Sequence, residues 1–218
     1  MPNLSVFDIV GPIMIGPSSS HTAGANKIAN IARNIAGEGF NRVDFYLHGS
    51  FAKTLKGHGT DKALVGGVLG YGPEDQRLKN SFELAKEQGM EFEFHSEDLG
   101  NVHPNTVKIL MTYPDGSSFD VQGSSIGGGN IKINKIYGND VEYSGKNPTL
   151  IATYKEQKGI IAFISSILYD EGYNIFNMKT IKDNNKVMLV TELDQGLRKD
   201  VYDQIKNGKD FTFIKYLG

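Results

Sequence analysis

The chain of 218 residues contains no cysteine. That absence excludes disulfides, a thiol nucleophile and zinc–thiolate sites. It also excludes a conventional iron–sulfur cluster held by this chain alone, because such clusters are bound by thiolates. The five histidines, His21, His48, His58, His95 and His103, form no H-E-x-x-H or H-x3-H pair, so no metal-site spacing replaces the missing thiolates. Any metal in the function would come from a partner. Charge of one sign is lacking too. The formal net charge is −2, and no basic stripe points to nucleic acid. No apolar run reaches the length of a membrane span. The first residues, Met1-Pro2-Asn3-Leu4-Ser5, lack the charged start and apolar stretch of a secretory signal. A cytoplasmic location is the expectation.

Two parts are legible along the chain. Up to about residue 143 the sequence is Gly-rich and mixes strand and helix patterns. Residues 43–47 alternate apolar and polar and read as a strand. Residues 62–69 are small and apolar and read as a helix. Residues 73–88 have helical periodicity, closed by Gly89 as a C-cap. Residues 107–113 with 118–122, and 132–136 with 140–143, read as hairpins through Pro114-Asp115-Gly116 and Gly138-Asn139. Gly145-Lys146-Asn147-Pro148 is turn chemistry and reads as a linker. Beyond it come a strand at 149–154 and a helix at 160–171. The apolar face of that helix is Ile160, Ile161, Ile164, Ile167 and Leu168. Strands at 173–181 and 187–193, a helix at 197–205 and a strand at 211–216 follow. This βαββαβ order is the ferredoxin-like split βαβ unit. The expected fold class is α+β, with domains at 1–144 and 149–218.

Polar residues cluster in five places. Gly16-Pro17-Ser18-Ser19-Ser20-His21-Thr22 stands just before an apolar run of helical spacing, Ile28, Ala29, Ile31, Ala32, Ile35 and Ala36. It reads as a loop entering a helix. A helix N-terminus leaves N–H groups unpartnered at a positive dipole end. Small hydroxyl residues let a carboxylate or phosphate approach them. Plain N-capping by one of the serines is the alternative, but one cap needs one hydroxyl and this stretch has four and a histidine. In Gly57-His58-Gly59-Thr60-Asp61, glycines clear space around an imidazole suited to general-base work near neutral pH. Asp61 would orient that ring or cap the following helix, and Thr60 is the other candidate cap. Pro104 stiffens His103-Pro104-Asn105, and an Asn side chain both donates to and accepts from a small polar ligand; an ordinary loop with a surface histidine is the alternative. Ser50, in His48-Gly49-Ser50, stands at a strand end where it can project into a cleft. Ser124-Ser125-Ile126-Gly127-Gly128-Gly129 brings N–H groups against an anion or merely allows a wide bend; it is not a P-loop, since no Lys-Ser/Thr follows. His95 stands among charged residues and reads as solvated surface. A Ser–His hydrolase is unsupported, because Ser20 and His21 are adjacent and no G-x-S-x-G elbow exists.

Taken together and in this order, these motifs resemble the iron–sulfur-dependent L-serine dehydratases. The likeness covers essentially the whole chain and is to the β subunit of the two-subunit form. The Gly16–Thr22 run carries the specificity; the triple glycine alone is weak. The resemblance implies deamination of L-serine to pyruvate and ammonia with a 4Fe-4S cluster, whose cysteines lie on the α subunit. It implies His58 and His21 as catalytic residues. It implies substrate binding by Ser18, Ser19, Ser20, Thr22, Ser50, Thr60, Asp61, His103 and Asn105, with no metal ligand on this chain. The first domain is similar to the allosteric substrate-binding domain of some phosphoglycerate dehydrogenases. Residues from 149 onward resemble an ACT domain, which implies a homodimer and an effector site near Gly159 and Asn174. A different class of function, a non-catalytic regulatory module that binds L-serine, is built from the same two domains. A Cys-containing α chain encoded alongside would discriminate the two.

Overall fold

A computed structural model describes residues 13–218; the stretch read above for a targeting signal lies outside them. Two compact units are present. The first runs to Gly138 and includes Glu142–Ser144; the second comprises Asn139–Val141 and Gly145–Gly218. Mixed α+β structure with two sheets results, one of six strands and one of four.

In the first sheet the order is β2-β1-β3-β4-β5-β6. These strands are β1 (Arg42–Leu47), β2 (Glu91–Ser96), β3 (Thr106–Thr112), β4 (Ser118–Gly127), β5 (Asn130–Ile136) and β6 (Asn139–Tyr143). β1 runs parallel to β2 and antiparallel to β3, and β3–β4 and β4–β5 are antiparallel. Along β1 the period of two sends Val43, Phe45 and Leu47 into the core. Helix α1 (Ala25–Ala36) buries Ile28, Ala29, Ala32 and Ile35, a stripe of helical spacing. Helix α3 (Thr60–Val68) packs closely on it. A Cβ on Gly67 would lie 2.6 Å from both Ala29 Cβ and Asn26 O, so this approach needs glycine there. A five-residue helix α2 (Gly49–Lys53) follows β1, and α4 (Ser81–Glu87) precedes β2.

The structure corrects several readings of this part. The helix read at 73–88 is two short pieces, a 3-10 turn at Gln76–Asn80 and then α4. The Asp75 carboxylate captures the Arg77 N–H and starts a tighter turn. Gly89 does end α4, at φ 71°. Residues 91–96, given no element in the sequence reading, form edge strand β2, and His95 stands among charged residues as expected but is half-buried, not simply solvated. Its Nε2 lies 2.9 Å from Asp44 Oδ1, and its ring stacks on Tyr46 at 4.8 Å. Both partners stand on the neighbouring strand, out of local view.

The second sheet has the order β10-β7-β9-β8. Its elements are β7 (Thr149–Lys155), α5 (Ile160–Asp170), β8 (Ile175–Asp183), β9 (Lys186–Leu193), α6 (Lys199–Gly208) and β10 (Phe213–Leu217). Leu150, Tyr154, Val187 and Leu189 from the strands meet Ile160, Ile164 and Leu168 of α5 and Val201 and Ile205 of α6 in one core. The alternation of strand residues puts both helices over one sheet face. Ile161, at the margin of the α5 stripe, is 46% exposed and is not part of that core. Residues 145–148 are less free than a linker: the Leu193 N–H donates to the Pro148 carbonyl, and Asn147 Nδ2 to Glu192.

Candidate functional site

Helical geometry begins earlier than the apolar run suggests. Ser18 is extended, at φ −140° and ψ 122°, and its hydroxyl accepts the His21 N–H at 3.1 Å. Its carbonyl accepts both the Thr22 N–H, at 2.9 Å, and the Ala23 N–H, at 3.3 Å. The longer-range bond marks a π-helical turn, Ser19–Gly24, that runs straight into α1. The stretch read as a loop is therefore a cap and one wide turn. Ser18 is the cap. Ser19 and Ser20 lie half-buried in the first turn, with no side-chain hydrogen bond among the described residues.

The wide turn joins the other motifs. Thr22 Oγ1 donates to the His58 carbonyl at 2.9 Å. His21 Nε2 lies 3.0 Å from Ser50 Oγ, and Nδ1 lies 3.4 Å from Ser18 Oγ. A hydroxyl serves as donor or acceptor, so this pair satisfies a neutral imidazole in either tautomer. The His58 ring centre is 5.0 Å from that of His21, and the buried Phe51 meets His21 edge-on at 5.5 Å. Burial, and then the nearby His58, hold His21 below its ordinary value of 6.5.

Ser50 opens α2 under a steric condition. A Cβ on Gly49, at φ 55°, would lie 2.8 Å from Pro104 O. Bare backbone lets the Ser50 N–H reach that carbonyl at 2.8 Å, which ties Ser50 to the His103-Pro104-Asn105 segment. His103 Nδ1 accepts the Asn105 N–H at 3.1 Å, with His103 exposed. The Asn105 carbonyl accepts the Ser125 N–H at 2.9 Å. Thr106 Oγ1 lies 2.7 Å from Ser124 Oγ, which also accepts from Asn134 Nδ2.

In the second motif neither Thr60 nor Asp61 caps α3. Gly59, left-handed at φ 66°, takes the cap position with no side-chain bond. The Asp61 carboxylate accepts the Lys62 N–H at 2.8 Å and bonds no imidazole among the described residues. Thr60 is fully buried, and its hydroxyl has no partner among the described residues. The three glycines at 127–129, at φ 101°, 60° and 75°, turn the β4–β5 hairpin, and Lys27 Nζ donates to the Gly129 carbonyl at 2.9 Å. A cavity of about 260 Å³ touches Thr22 and Gly59 and is lined by Ile15, Ala63, Leu78 and Lys62; no histidine lines it. The cavity thus adjoins the histidine pair through Thr22 and Gly59 without being lined by either ring.

Four of the five polar clusters thus meet through named bonds around His21, with the Gly-rich hairpin joined through Ser125 N–H. A family model described as "Serine dehydratase beta chain" matches residues 5–135. The chain belongs to this family. It is 50% identical over 220 residues to "L-serine dehydratase, beta chain" of Peptoniphilus asaccharolyticus, covering 100% of this chain and 99% of that one. It is 40% identical over 203 residues to "Probable L-serine dehydratase, beta chain" of Bacillus subtilis (strain 168), with 92% of each chain covered. "L-serine dehydratase 2" of Escherichia coli (strain K12) matches at 34% over 160 residues, which are 62% of this chain and 34% of that protein.

The effector candidates stand in the second unit. Gly159 caps α5 at φ 89° with open space where a side chain would be, and Asn174 Nδ2 donates to Asp194. Among the described residues one group has metal-ligand spacing, Asp44, Glu93 and His95. The Arg42 guanidinium already occupies it, 2.9 and 3.0 Å from the two Asp44 oxygens and 3.1 Å from Glu93. That pairing holds the Asp44 carboxyl below its ordinary range, against the opposing effect of burial. No described helix is long and apolar enough to cross a membrane. The reading of single motifs misses Phe51 and the Thr106–Ser124–Asn134 network. An aromatic one residue after Gly49-Ser50 is the available signal for Phe51; the network is set by strand pairing and has none.

Proposed function

We propose that this chain is the β subunit of an iron–sulfur-dependent L-serine ammonia-lyase that converts L-serine to pyruvate and ammonia together with an α subunit. The observation that carries the reading is the convergence of His21, Ser50 and His58, drawn from three separate motifs of a serine dehydratase beta chain. Serine deamination needs a base for the Cα proton and a path for the β-hydroxyl to leave. Their loss leaves an enamine that water converts to pyruvate and ammonia.

The base we assign is His58, taking the Cα proton onto a ring nitrogen. His21, kept neutral by burial, sits behind Ser50 and holds that hydroxyl toward the substrate. The hydroxyls of Ser19 and Ser20, unbonded among the described residues, with the first-turn N–H groups of an uninterrupted helical run from Ser19 to Ala36, receive the substrate carboxylate. Ser18 and Thr22 act by holding that turn through their bonds to His21 and His58. His103, Asn105, Thr60 and Asp61 complete the proposed binding set. The donor set of this chain does not fit a 4Fe-4S cluster, because it offers no thiolate. The cluster belongs in this reading to cysteines of the α subunit, and when bound it supplies a Lewis acid for the departing hydroxyl.

The same proposal assigns residues 1–144 to a domain like the allosteric substrate-binding domain of phosphoglycerate dehydrogenases, and 149–218 to an ACT domain. The latter would form a homodimer and bind an amino-acid effector near Gly159 and Asn174. Its complete βαββαβ pattern supports this. Anaerobic co-expression with the α chain, followed by pyruvate assay with and without this chain, tests the reading. Turnover that needs both chains supports it. Full turnover by the α chain alone, merely retuned by this one, would replace it with the regulatory, serine-binding module.

A further inference from the structure

Ser125 is a fully buried serine whose hydroxyl has no hydrogen-bond partner among the described residues. An orphaned buried hydroxyl is costly, and alanine would avoid that cost. Its surroundings explain why an atom is needed there. A Cβ built on Gly24 would fall 2.1 Å from Ser125 Oγ and 2.8 Å from Ser125 Cβ. The Ser125 side chain thus fills the place that a side chain on Gly24 would take. Gly24 is the last residue of the wide turn Ser19–Gly24. Its φ of −63° suits any residue, so space and not backbone conformation requires glycine.

That turn has a definite consequence for aim. A π turn carries one more residue than an α turn, and each residue of an α-helix rotates its side chain by about 100°. With the extra residue, His21 meets Ser50 and Thr22 meets the His58 carbonyl. Closing the turn to α geometry would swing both side chains off those partners. Ser125 is itself anchored, since its N–H donates to the Asn105 carbonyl.

We propose that Gly24 and Ser125 are a positioning pair: the Ser125 side chain, seated against the bare Gly24 backbone, holds open the wide turn that aims His21 at Ser50. The pair touches no reacting atom. The inference rests on the proposed function only for its kinetic consequence. The His21–Ser50 geometry can be read on the full chain without any catalysis.

The test is a swap of side-chain volume across the contact. Gly24→Ala, Ser125→Gly, the double variant and the wild type are compared in two ways. Imidazole NMR of the full chain, with the His21 signals assigned through His21→Gln, reports the ring's hydrogen bonding and titration. Serine turnover of the assembled complex reports kcat and KM separately. Gly24→Ala is expected to move the His21 titration up toward the ordinary imidazole value and to lower kcat on the order of 100-fold, as for a misplaced catalytic group. Ser125→Gly alone, which removes the support without a clash, is expected to move the titration the same way. In the double variant the methyl introduced at position 24 occupies the vacated place, and both signals are expected to return toward wild type. A Gly24→Ala chain with wild-type His21 titration overturns the pairing. So does a double variant no better than Gly24→Ala. If Gly24→Ala does not fold, Ser125→Gly decides by itself, and an unchanged His21 titration in it overturns the proposal. Absence of turnover in every complex, wild type included, counts against the functional reading and leaves the NMR comparison to decide this one.

Discussion

The second unit keeps to its periodicities. The α5 stripe repeats at helical spacing and meets β7 and β9, strands buried along nearly their whole length, in a core of Leu150, Leu189, Ile164 and Leu168. One buried side-chain oxygen in it, on Thr191, lacks a partner. Around the wide turn of the first unit the local rules are broken repeatedly. A helix starts on a π turn, the Pro104 backbone leaves no room for a side chain on Gly49, and Asn26, Thr60 and Ser125 each bury a polar atom without a partner among the described residues. The contrast teaches where function is built. A regular core needs only enough apolar surface in the right period. A site needs polar side chains in company that packing alone would not select, and the surrounding scaffold must hold them there.

The sharpest way to break this contrast is at His58. In the assembled complex, His58→Ala is expected to lower kcat by ~10²–10⁴-fold with KM little changed. Steady-state kinetics on cluster-loaded complex checks it, and unchanged kcat would move the base to His21 or His103. Ile164→Ala probes the other side of the comparison. It leaves a cavity between α5 and the sheet, and is expected to destabilise the second unit by ~2–5 kcal/mol. Turnover per folded complex should stay at the wild-type level. Denaturant melts read alongside turnover would expose a failure, namely lost chemistry without lost stability.

Smaller effects sharpen the account of the turn itself. Ser19→Ala and Ser20→Ala are each expected to weaken serine binding by ~1.5–3 kcal/mol, the worth of a hydrogen bond to a charged group. Calorimetric affinities at the wild-type level in both would return the turn to simple capping. The smallest expected effect is on acid stability. The folded-state pKa of His21 lies below the ordinary 6.5, so the unfolded chain binds this proton more readily. The contribution is fully present above that ordinary value. It is lost as pH falls through it toward the folded-state pKa, and is constant below. Melting midpoints of wild type and His21→Gln, taken from about pH 8 to pH 5, should converge or cross on the acid side. Parallel curves would show that His21 is not held neutral.

Element by element, legibility followed the range of the interactions. The hairpins around 113–117 and 137–139 and the helix at 62–69 were readable because turn residues and apolar spacing act over a few positions. The helix read at 73–88 failed within that same range. The Asp75 side chain competes for a backbone N–H and breaks the run into two turns. His95 failed for a different reason. Asp44 and Tyr46, which bond and stack on it, are contributed by a parallel neighbour about fifty residues away in sequence. The motifs of the candidate site were visible singly, but their contacts were not. Nothing in residues 16–22 says that His21 will lie 3.0 Å from Ser50, or that Thr22 will bond the His58 backbone.

By itself, then, the sequence determined the inventory: no thiolate, so no cluster of its own; five polar motifs before residue 130; and a βαββαβ pattern after them. Those are properties of composition and period, and they survive any arrangement of the chain in space. The tertiary structure alone decided which hydroxyls are free and which are committed to holding the turn, that Asp61 serves its own helix and not an imidazole, and that glycine at 24 makes room for Ser125. The physical reason is that hydrogen bonds and steric exclusion act over about 3–4 Å. Between residues far apart along the chain, only the packing of strands and helices brings atoms within that reach.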